Sequence, residues 1–414
     1  NRQWDHTRTR VGELESLDQM EDIEHKTPEL ATEFSEDDPQ AHLEMMETIK
    51  EFYAFLGDET DIKIFKLKAN GYTQKQIAER LGFKTHSAVG KRMKKIEEKD
   101  GALALGMRKR MSYYEVVTLK DCNIIDKDYL KIIEGTLAFM QERNVPFYHK
   151  ARHDGCLRHL VVRKGTATGE ILVNLVTSSE INFSVEEFKD MLLSLELEGK
   201  FCGILHSVND GLADTVQSDE MHLLYGRDYF MEKLFDLEFK VSVYSFFQTN
   251  TAGAEKLYSI VKEFAGDVEN KMVFDLYCGT GTIGQIMAEA GSKKVVGIEL
   301  IEEAVVAANE NAKRNGLENC TFIAGDVLKM VDELEDKPDL IIVDPPRDGI
   351  HPKAIGKIID FGAPEIVYVS CKPTSLARDL EIFQQEGYRV EKVKLMDMFP
   401  RTVHVETVAL LKKV

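Results

Sequence analysis

The sequence has 414 residues, of which 43% are hydrophobic and 30% charged, and its formal net charge is −18. This length predicts two or three domains, and the acidic balance argues against a protein that is basic throughout and binds nucleic acid along its whole length. The apolar runs are too short to span a membrane, the N-terminal segment does not resemble a secretory signal, and six widely spaced cysteines favour neither a zinc ribbon nor a disulfide framework. We therefore expect a cytoplasmic protein without membrane contact.

The charge is unevenly distributed along the chain. Residues 1–60 carry 17 acidic and 5 basic side chains, a net charge of −12, whereas residues 61–110 carry 5 acidic and 14 basic ones, a net charge of +9. A basic block can bind phosphate locally, because salt screens charges beyond about 8–10 Å. We expect residues 1–45 to be an acidic, weakly ordered arm.

Residues 46–100 have the apolar spacing of helices and predict a helix-turn-helix-like segment. Thr73 is the expected N-cap of the first helix, and Gly82 permits the turn. The second helix would bury Val89, Met93 and Ile96. Its expected outward basic residues are Lys91, Arg92, Lys94 and Lys95. This segment resembles the DNA-binding region of sigma factors and predicts a DNA contact through residues 61–98; a structural helical hairpin with a solvated basic face is the alternative.

The rest of the chain predicts two further domains. Residues 106–240 mix strand-like runs with helices, as in a central α+β domain. Residues 241–414 alternate strands and helices, which indicates an α/β fold with a doubly wound, Rossmann-like parallel sheet. The expected strands of this last domain are Met272–Leu276, Lys294–Ile298, Cys320–Ala324, Leu340–Asp344, Ile366–Ser370, Arg389–Lys394 and Val403–Leu411. No long helix separates the final two, so they predict a closing antiparallel hairpin.

A glycine-containing loop follows the first of these strands. Gly279, Gly281 and Thr282 lie where the loop opens a helix, and the order of residues differs from a GxGxxG dinucleotide motif. Glu299 ends the second strand, where a carboxylate can accept both ribose hydroxyls, and Asp326 ends the third, placed to meet an adenine amino group. These strand ends carry acidic residues and no lysine that could bind a phosphate. This pattern favours S-adenosyl-L-methionine, which has an adenosine but no phosphate, over NAD or ATP.

Reactive residue types lie at the ends of the later strands. Asp344 begins an Asp-Pro-Pro-Arg motif, and Cys371 ends the fifth strand beside Lys372. A lysine and a helix N-terminus would lower the pKa of the Cys371 thiol. Cys278, in the glycine loop, is the rival thiol and is expected to pack in the interior.

Residues 106–414 resemble the TrmA/RumA family of S-adenosylmethionine-dependent RNA (uracil-5)-methyltransferases. The resemblance rests on six motifs in order: Phe246-Phe-Gln-Thr-Asn, Asp275-Leu-Tyr-Cys-Gly-Thr-Gly, Gly297-Ile-Glu, Asp344-Pro-Pro-Arg-Asp-Gly, Ser370-Cys-Lys-Pro and His404-Val-Glu. It implies that Cys371 is the nucleophile, forming an adduct with uracil C6, and that Glu406 is the base. The implied cofactor contacts are Gln248, Tyr277, Glu299 and Asp344. Thr282 stands where some members have asparagine.

The resemblance also implies an RNA partner, and the run Arg158–Arg163 favours ribosomal RNA (23S) over transfer RNA. Many members bind an iron–sulfur cluster, but only Cys122 matches one of its ligands, so we expect no intact cluster and no other metal. The alternatives are a transfer-RNA enzyme, a 5-methylcytosine enzyme, an amino-group methyltransferase, and a DNA-binding regulator with an inactive methyltransferase body.

Overall fold

A computed structural model describes residues 57–69, 72–99, 103–109, 116–149, 153–211, 216, 218–330, 334, 336–400, 402 and 404–414. The chain divides into two compact units, residues 1–121 and 122–414. The predicted acidic arm, residues 1–45, lies outside the described residues.

In the first unit, the described residues form the helices α1 (Glu59–Ala69), α2 (Gln74–Arg80) and α3 (His86–Lys99). Thr73 caps α2 as predicted: its side chain accepts from the Gln76 backbone N–H, and the Gln76 side chain accepts from the Thr73 backbone N–H. One side chain from each helix, Ile64, Ile77 and Val89, is completely buried. The helices therefore share a small core. The strands β1 (Gly106–Arg108) and β2 (Val116–Thr118) pair antiparallel.

The predicted outward position of Arg92 on α3 is wrong. Its guanidinium donates to Asp58 at 3.0 Å and to Asp61 at 2.6 Å, and Asp61 is 2% exposed. The two carboxylates raise the pKa of Arg92, although burial opposes them. Arg92 thus joins α3 to the start of α1 and is withdrawn from the exposed basic surface. The side chains of Lys94, Lys95 and Ile96 lie outside the described part of the chain.

The second unit begins with a four-stranded sheet. Its elements are α4 (Lys127–Glu142), β3 (Leu157–Lys164), β4 (Glu170–Thr177), α5 (Val185–Leu193), β5 (Lys200–Val208) and β6 (Glu220–Gly226). The strand order is β3-β4-β5-β6, and only the β4–β5 pair is parallel. A separate antiparallel pair, β7 (Tyr229–Leu234) and β8 (Leu237–Ser242), leads into the C-terminal half.

A seven-stranded sheet organises that half. Its elements are α6 (Thr251–Ala265), β9 (Met272–Leu276), α7 (Thr282–Glu289), β10 (Lys294–Glu299), α8 (Glu302–Arg314), β11 (Cys320–Ala324), α9 (Val327–Met330), β12 (Leu340–Val343), α10 (Pro352–Asp360), β13 (Glu365–Ser370), α11 (Pro373–Gln385), β14 (Tyr388–Met396) and β15 (Glu406–Lys413). The strand order is β11-β10-β9-β12-β13-β15-β14. The first five are parallel, and β15 lies antiparallel between β13 and β14. The predicted Rossmann-like fold and its closing antiparallel hairpin are confirmed.

One hydrophobic core joins the central and C-terminal parts of this unit. Leu172 and Leu205 of the four-stranded sheet belong to the same buried cluster as Leu257 of α6 and Val273 of β9. A second cluster includes Phe274, Tyr368 and Phe383. Because the first cluster crosses residue 240, the four-stranded sheet is held firmly against the part of the chain that carries the glycine loop.

None of the helices in the described ranges combines the length and the apolar character needed to cross a membrane.

We expect Asp379→Ala to reduce the free energy of unfolding by about 3 kcal/mol. Asp379 is fully buried and accepts from the Tyr368 hydroxyl (2.7 Å) and the Ile350 backbone N–H (2.8 Å), which the substitution would leave unpaired. Urea unfolding measures the loss. Asp360→Ala, at the end of α10, is the control and should cost less than 1 kcal/mol. Equal effects of the two substitutions would contradict this account of Asp379.

Candidate active site

The predicted site residues lie at one edge of the seven-stranded sheet. Strands β9 to β13 are parallel, so their carboxyl ends meet at the same edge. The glycine loop follows β9, Glu299 ends β10 and Asp326 follows β11. Asp344 follows β12 and Cys371 follows β13. The topology therefore brings residues that are up to a hundred positions apart in sequence to a common edge.

The glycine loop has a left-handed backbone at three positions: φ is 64° at Tyr277, 55° at Gly279 and 73° at Gly281. Glu299 holds this loop, since one of its carboxylate oxygens accepts from the Gly279 N–H at 2.9 Å and the other from the Ile301 N–H at 3.1 Å. Each oxygen keeps a second lone pair for a ligand hydroxyl. Glu299 can therefore shape the loop and still bind a ribose.

The packing under the loop explains Gly281 and, in the neighbouring strand β10, Gly297. A Cβ at Gly281 would lie 2.5 Å from Cζ of Phe322, and one at Gly297 would lie 2.3 Å from Cδ1 of the same ring. Cys278 packs against this core, as predicted for the rival thiol, and burial raises its pKa well above the ordinary value. The sequence does not predict this role of Phe322, because nothing in it indicates that β11 packs an aromatic ring against the loop.

Asp275, in β9, is completely buried beneath the loop. One carboxylate oxygen accepts from the Gly284 N–H at 2.7 Å, and the other, Oδ1, has no partner in the described structure. Burial and the negative charge of Glu299 raise the pKa of Asp275 to about 7, against the opposing effect of the Gly284 N–H. The site thus contains an uncompensated acceptor that favours a cationic or hydrogen-bond-donating ligand.

Two further predicted cofactor contacts make local bonds. Asp326 accepts from the Leu328 N–H at 2.9 Å at the start of α9. Burial raises the pKa of Tyr277, and the charge of Asp326 adds to this rise, so these two side chains lie on the same side of the edge. Thr282 begins α7 and is 8% exposed, with its hydroxyl 3.5 Å from that of Thr280. Its side chain therefore faces the interior of the loop.

The expected lowering of the pKa of Cys371 is wrong. Burial raises the pKa of the thiol, and the carboxylates of Glu406 and Asp344 raise it further; the opposing cation is Arg347. The Lys372 ammonium lies 4.0 Å from Asp348 instead. The residue next to a thiol in sequence does not decide the pKa of that thiol when the fold brings two carboxylates near it.

The position of Glu406 follows from strand register. Ser370 of β13 pairs with Thr407 of β15, so Cys371, directly after β13, and Glu406, the first residue of β15, lie opposite each other at the edge of the sheet. Burial raises the pKa of Glu406, and Arg347 opposes this rise. The Arg347 guanidinium also lies 3.4 Å from Nδ1 of His404. Arg347 was not predicted as a site residue, although it lies within the Asp-Pro-Pro-Arg motif.

Asp344 and Gln248 complete the cluster. Burial, together with the negative charges of Glu406 and Asp275, raises the pKa of Asp344 to about 8. Burial and the charges of Asp344, Asp275 and Glu406 raise the pKa of Tyr258 on α6, and the Gln248 side chain beside its hydroxyl opposes this rise. Tyr258 therefore lies among the predicted site residues. No sequence feature indicates Tyr258 as a site residue, since a tyrosine on an apolar helix face is ordinary core.

Comparison with known proteins agrees with this geometry. The sequence model of the tRNA (uracil-5-)-methyltransferase family matches residues 211–414. RNA methyltransferases of Clostridium tetani and Clostridium acetobutylicum are 52% and 54% identical over 316 and 315 residues, covering 76% of this chain and 69% of each relative. The chain belongs to the RNA (uracil-5-)-methyltransferase family.

As a member of that family the chain is an RNA (uracil-5-)-methyltransferase, and its cofactor is S-adenosyl-L-methionine. The crystal structure of Pyrococcus abyssi tRNA (uracil-54, C5)-methyltransferase, in complex with S-adenosyl-L-homocysteine, is similar in fold. It has a TM-score of 0.63 and 30% identity, and the match covers 74% of this chain and 72% of that one. Three features of this site fit S-adenosyl-L-methionine, whose sulfur is a sulfonium cation. They are the glycine loop, the unpartnered Asp275 oxygen and the acids at the edge of the sheet.

No cluster of three or more His, Cys, Asp or Glu side chains suited to a metal ion occurs within the described ranges. Cys122, the residue that matches an iron–sulfur ligand, is a partly exposed free thiol. The absence of an intact iron–sulfur cluster stays a prediction.

We expect Glu406→Gln to make Cys371 more reactive towards iodoacetamide near pH 8, because removing a negative charge that raises the pKa of the thiol increases the thiolate fraction. Arg347→Gln should have the opposite effect. Peptide mapping by mass spectrometry gives the alkylation rate at Cys371, with Cys122 in the same digest as the internal control. Slower alkylation in the Glu406→Gln protein would contradict this assignment of charges.

Proposed function

We propose that this enzyme methylates carbon 5 of a uridine in 23S ribosomal RNA through a covalent bond between Sγ of Cys371 and carbon 6 of the base, with Glu406 as the base. The observation that carries the proposal is the convergence of Cys371 and Glu406 at the edge of the sheet where β13 ends and β15 begins. The effect of the Glu406 charge, which adds to burial in raising the pKa of the Cys371 thiol, supports it.

The chemistry explains why these two groups are needed. Carbon 5 of uracil is a weak nucleophile, and addition of the Cys371 thiolate at carbon 6 forms an S–C bond and an enolate whose electron density lies at carbon 5. S-adenosyl-L-methionine, when bound, supplies the methyl group that carbon 5 takes. Glu406 then removes the proton from carbon 5, the double bond re-forms, and the S–C6 bond breaks to return the thiolate.

The raised pKa values suit this sequence of steps. A carboxylate with a raised pKa is a stronger base, as the removal of a carbon-bound proton requires. Burial and the charge of the same carboxylate raise the pKa of the Cys371 thiol, and Arg347 opposes this rise. The half-buried thiol is reached by a uridine that is unstacked from its neighbours, so we propose a flipped or single-stranded target.

Cofactor binding is assigned to Gln248, Tyr277, Gly279, Gly281, Thr282, Glu299, Asp326 and Asp344. The support is their common position at or beside the carboxyl edge of the sheet and the hydrogen bond from the glycine loop to Glu299. Within this set, Glu299 would accept the ribose hydroxyls and Asp326 the adenine amino group. Asp344, with a pKa of about 8, would approach a positively charged part of the ligand.

Ribosomal RNA is favoured as the target by the similarity of the run Arg158–Arg163 to the ribosomal branch of the family. Transfer RNA is the second candidate, because the similar Pyrococcus abyssi structure is that of a tRNA (uracil-54, C5)-methyltransferase. The two substrates share the same chemistry at carbon 5 and differ in the RNA that surrounds the uridine.

We expect a stable methylated adduct between the protein and RNA that contains 5-fluorouracil, because Glu406 cannot remove fluorine from carbon 5. The protein is incubated with radiolabelled S-adenosyl-L-methionine and with 23S ribosomal RNA or transfer RNA transcripts containing 5-fluorouracil, and denaturing gels detect the adduct. Cys371→Ala should abolish it, and Cys320→Ala, at another buried cysteine, should retain it.

Each result has a separate meaning. An adduct with ribosomal RNA alone supports the first target, and one with transfer RNA alone replaces it with the second. An adduct that survives Cys371→Ala would exclude Cys371 as the nucleophile. If no adduct forms with either RNA although the protein binds the cofactor, the proposed reaction of this chain is wrong, and a regulator with an inactive methyltransferase body becomes the better description.

We further propose that residues 61–98 contact a DNA duplex. Supporting this, α2 and α3 pack closely: an ideal Cβ at Gly90 would lie 3.2 Å from Oε1 of Gln74. Lys75, Lys84 and Lys91 are exposed around this pair of helices. Arg92 is engaged in its ion pairs, and the guanidinium of Arg80, which is also exposed, stacks on the Tyr72 ring at 4.5 Å. A surface on which lysines predominate favours phosphate contacts over base readout.

We expect the affinity for a short DNA duplex to fall with salt, and expect K75E/K91E to reduce the log–log salt slope by about 2, since about one counterion is released for each phosphate contact. Fluorescence anisotropy with a labelled duplex measures both. Lys313→Glu, an exposed lysine on α8, is the control and should leave the slope unchanged. A salt slope unaffected by K75E/K91E would leave residues 61–98 as a structural helical hairpin.

A further inference from the structure

The segment that carries Gln248 is fastened to the four-stranded sheet. It runs from Ser242, the end of β8, to Asn250, which caps α6, and we call it the Gln248 segment. It has no regular secondary structure, so its own backbone hydrogen bonds do not hold it. A segment of this kind loses about 1–2 kcal/mol of conformational free energy for each residue that is ordered, unless other parts of the protein fix it beforehand.

Arg163, on β3, supplies the principal attachment. Its Nη1 donates to the carbonyl oxygens of Ser242 at 3.0 Å, Val243 at 3.3 Å and Ser245. The guanidinium carbon lies 5.3 Å from the centre of the Phe230 ring. Burial lowers the pKa of Arg163, and the one charge that opposes this among the described groups is that of Tyr129. This is an arginine partly withdrawn from water whose hydrogen bonds go to three carbonyls of a single segment.

Two other attachments hold the same segment. The Tyr244 hydroxyl donates to Oγ of Ser207 at 2.9 Å and accepts from Nδ2 of Asn174 at 3.0 Å, which ties it to β4 and β5. At the C-terminal end, Nδ2 of Asn250 donates to the carbonyl oxygen of Met398 at 2.8 Å, in the stretch that leads to β15. The Gln248 segment is therefore fixed on both sides of Gln248.

We propose that Arg163 is a positioning residue for cofactor binding. By holding three backbone carbonyls of the Gln248 segment against the four-stranded sheet, it fixes Gln248 beside Tyr258 before the ligand arrives, so that binding does not have to order the segment. A guanidinium suits this task, because its five N–H donors lie in one plane and it cannot lose its charge. The inference rests on the role proposed above for Gln248.

Arg158 provides a matched control on the same strand. Its Nη1 donates to the carbonyl oxygens of Asn209 at 3.0 Å and Gly211 at 2.8 Å, and its guanidinium stacks on Tyr148 at 4.0 Å. It therefore fastens a different loop by the same type of bond. Substitution of Arg158 or Arg163 removes carbonyl contacts of similar number, but only Arg163 contacts the Gln248 segment.

The test compares Arg163→Met, Arg163→Lys, Arg158→Met and Gln248→Ala in the full chain. Isothermal titration calorimetry gives the dissociation constant for S-adenosyl-L-homocysteine, which needs no turnover, and thermal unfolding gives the stability of each variant. We expect Arg163→Met to weaken binding about tenfold, because a small displacement of a positioned group is costly. Arg163→Lys should recover part of the affinity, and Arg158→Met should change it less than twofold at a similar loss of melting temperature.

The outcomes separate this inference from the proposed role of Gln248. If Gln248→Ala leaves the dissociation constant unchanged, Gln248 is not a cofactor contact and the proposed role fails. If Gln248→Ala weakens binding and Arg163→Met does not, Gln248 binds but Arg163 does not position it. Equal weakening by Arg163→Met and Arg158→Met would reduce the effect to general destabilisation and would overturn the inference.

Discussion

The register between β13 and β15 is the constraint on which the candidate active site depends. Ser370 pairs with Thr407, and this pairing brings Cys371 and Glu406, 35 positions apart in sequence numbering, to the same end of the two strands. Strand β14 returns the chain to the carboxyl edge, and β15 begins there and runs antiparallel between β13 and β14. A shift by one residue would turn Glu406 to the other face of the sheet.

The electrostatics of the site follow from this assembly. Asp275, Asp344 and Glu406 all have raised pKa values, with burial as the first cause for each, and the negative charges of their neighbours add to the effect for Asp275 and Asp344. Desolvated carboxylates with few cations among them create a region that favours positive charge. A sulfonium cofactor supplies such a charge. The raised pKa of Cys371 in the ligand-free protein is a consequence of the same acids, and Arg347 is the local group that opposes them.

The four-stranded sheet and the methyltransferase sheet function as one body. Leu172 and Leu205 enter the same hydrophobic core as α6, and Arg163 reaches from β3 to the backbone before Gln248. A surface built on the central sheet is thereby connected to the carboxyl edge of the seven-stranded sheet through a shared core and through Arg163. The central part of the chain therefore has a structural role, which is to hold the segment before Gln248, in addition to any contacts that it makes with RNA.

The sequence by itself determined the alternation of strands and helices, the closing hairpin, the N-cap at Thr73 and the glycine loop, because each depends on local spacing, capping or backbone conformation. It also indicated Cys371, Glu299 and Asp344, since strand ends can be read from the pattern and the carboxyl ends of parallel strands share an edge. The tertiary structure alone decided the pKa direction of Cys371, the ion pairs of Arg92, and the positions of Tyr258, Phe322 and Arg163. These features depend on which groups lie close together in the folded chain. Charge, burial and close packing act over short distances in space, and the separation of two residues in the sequence does not give that distance.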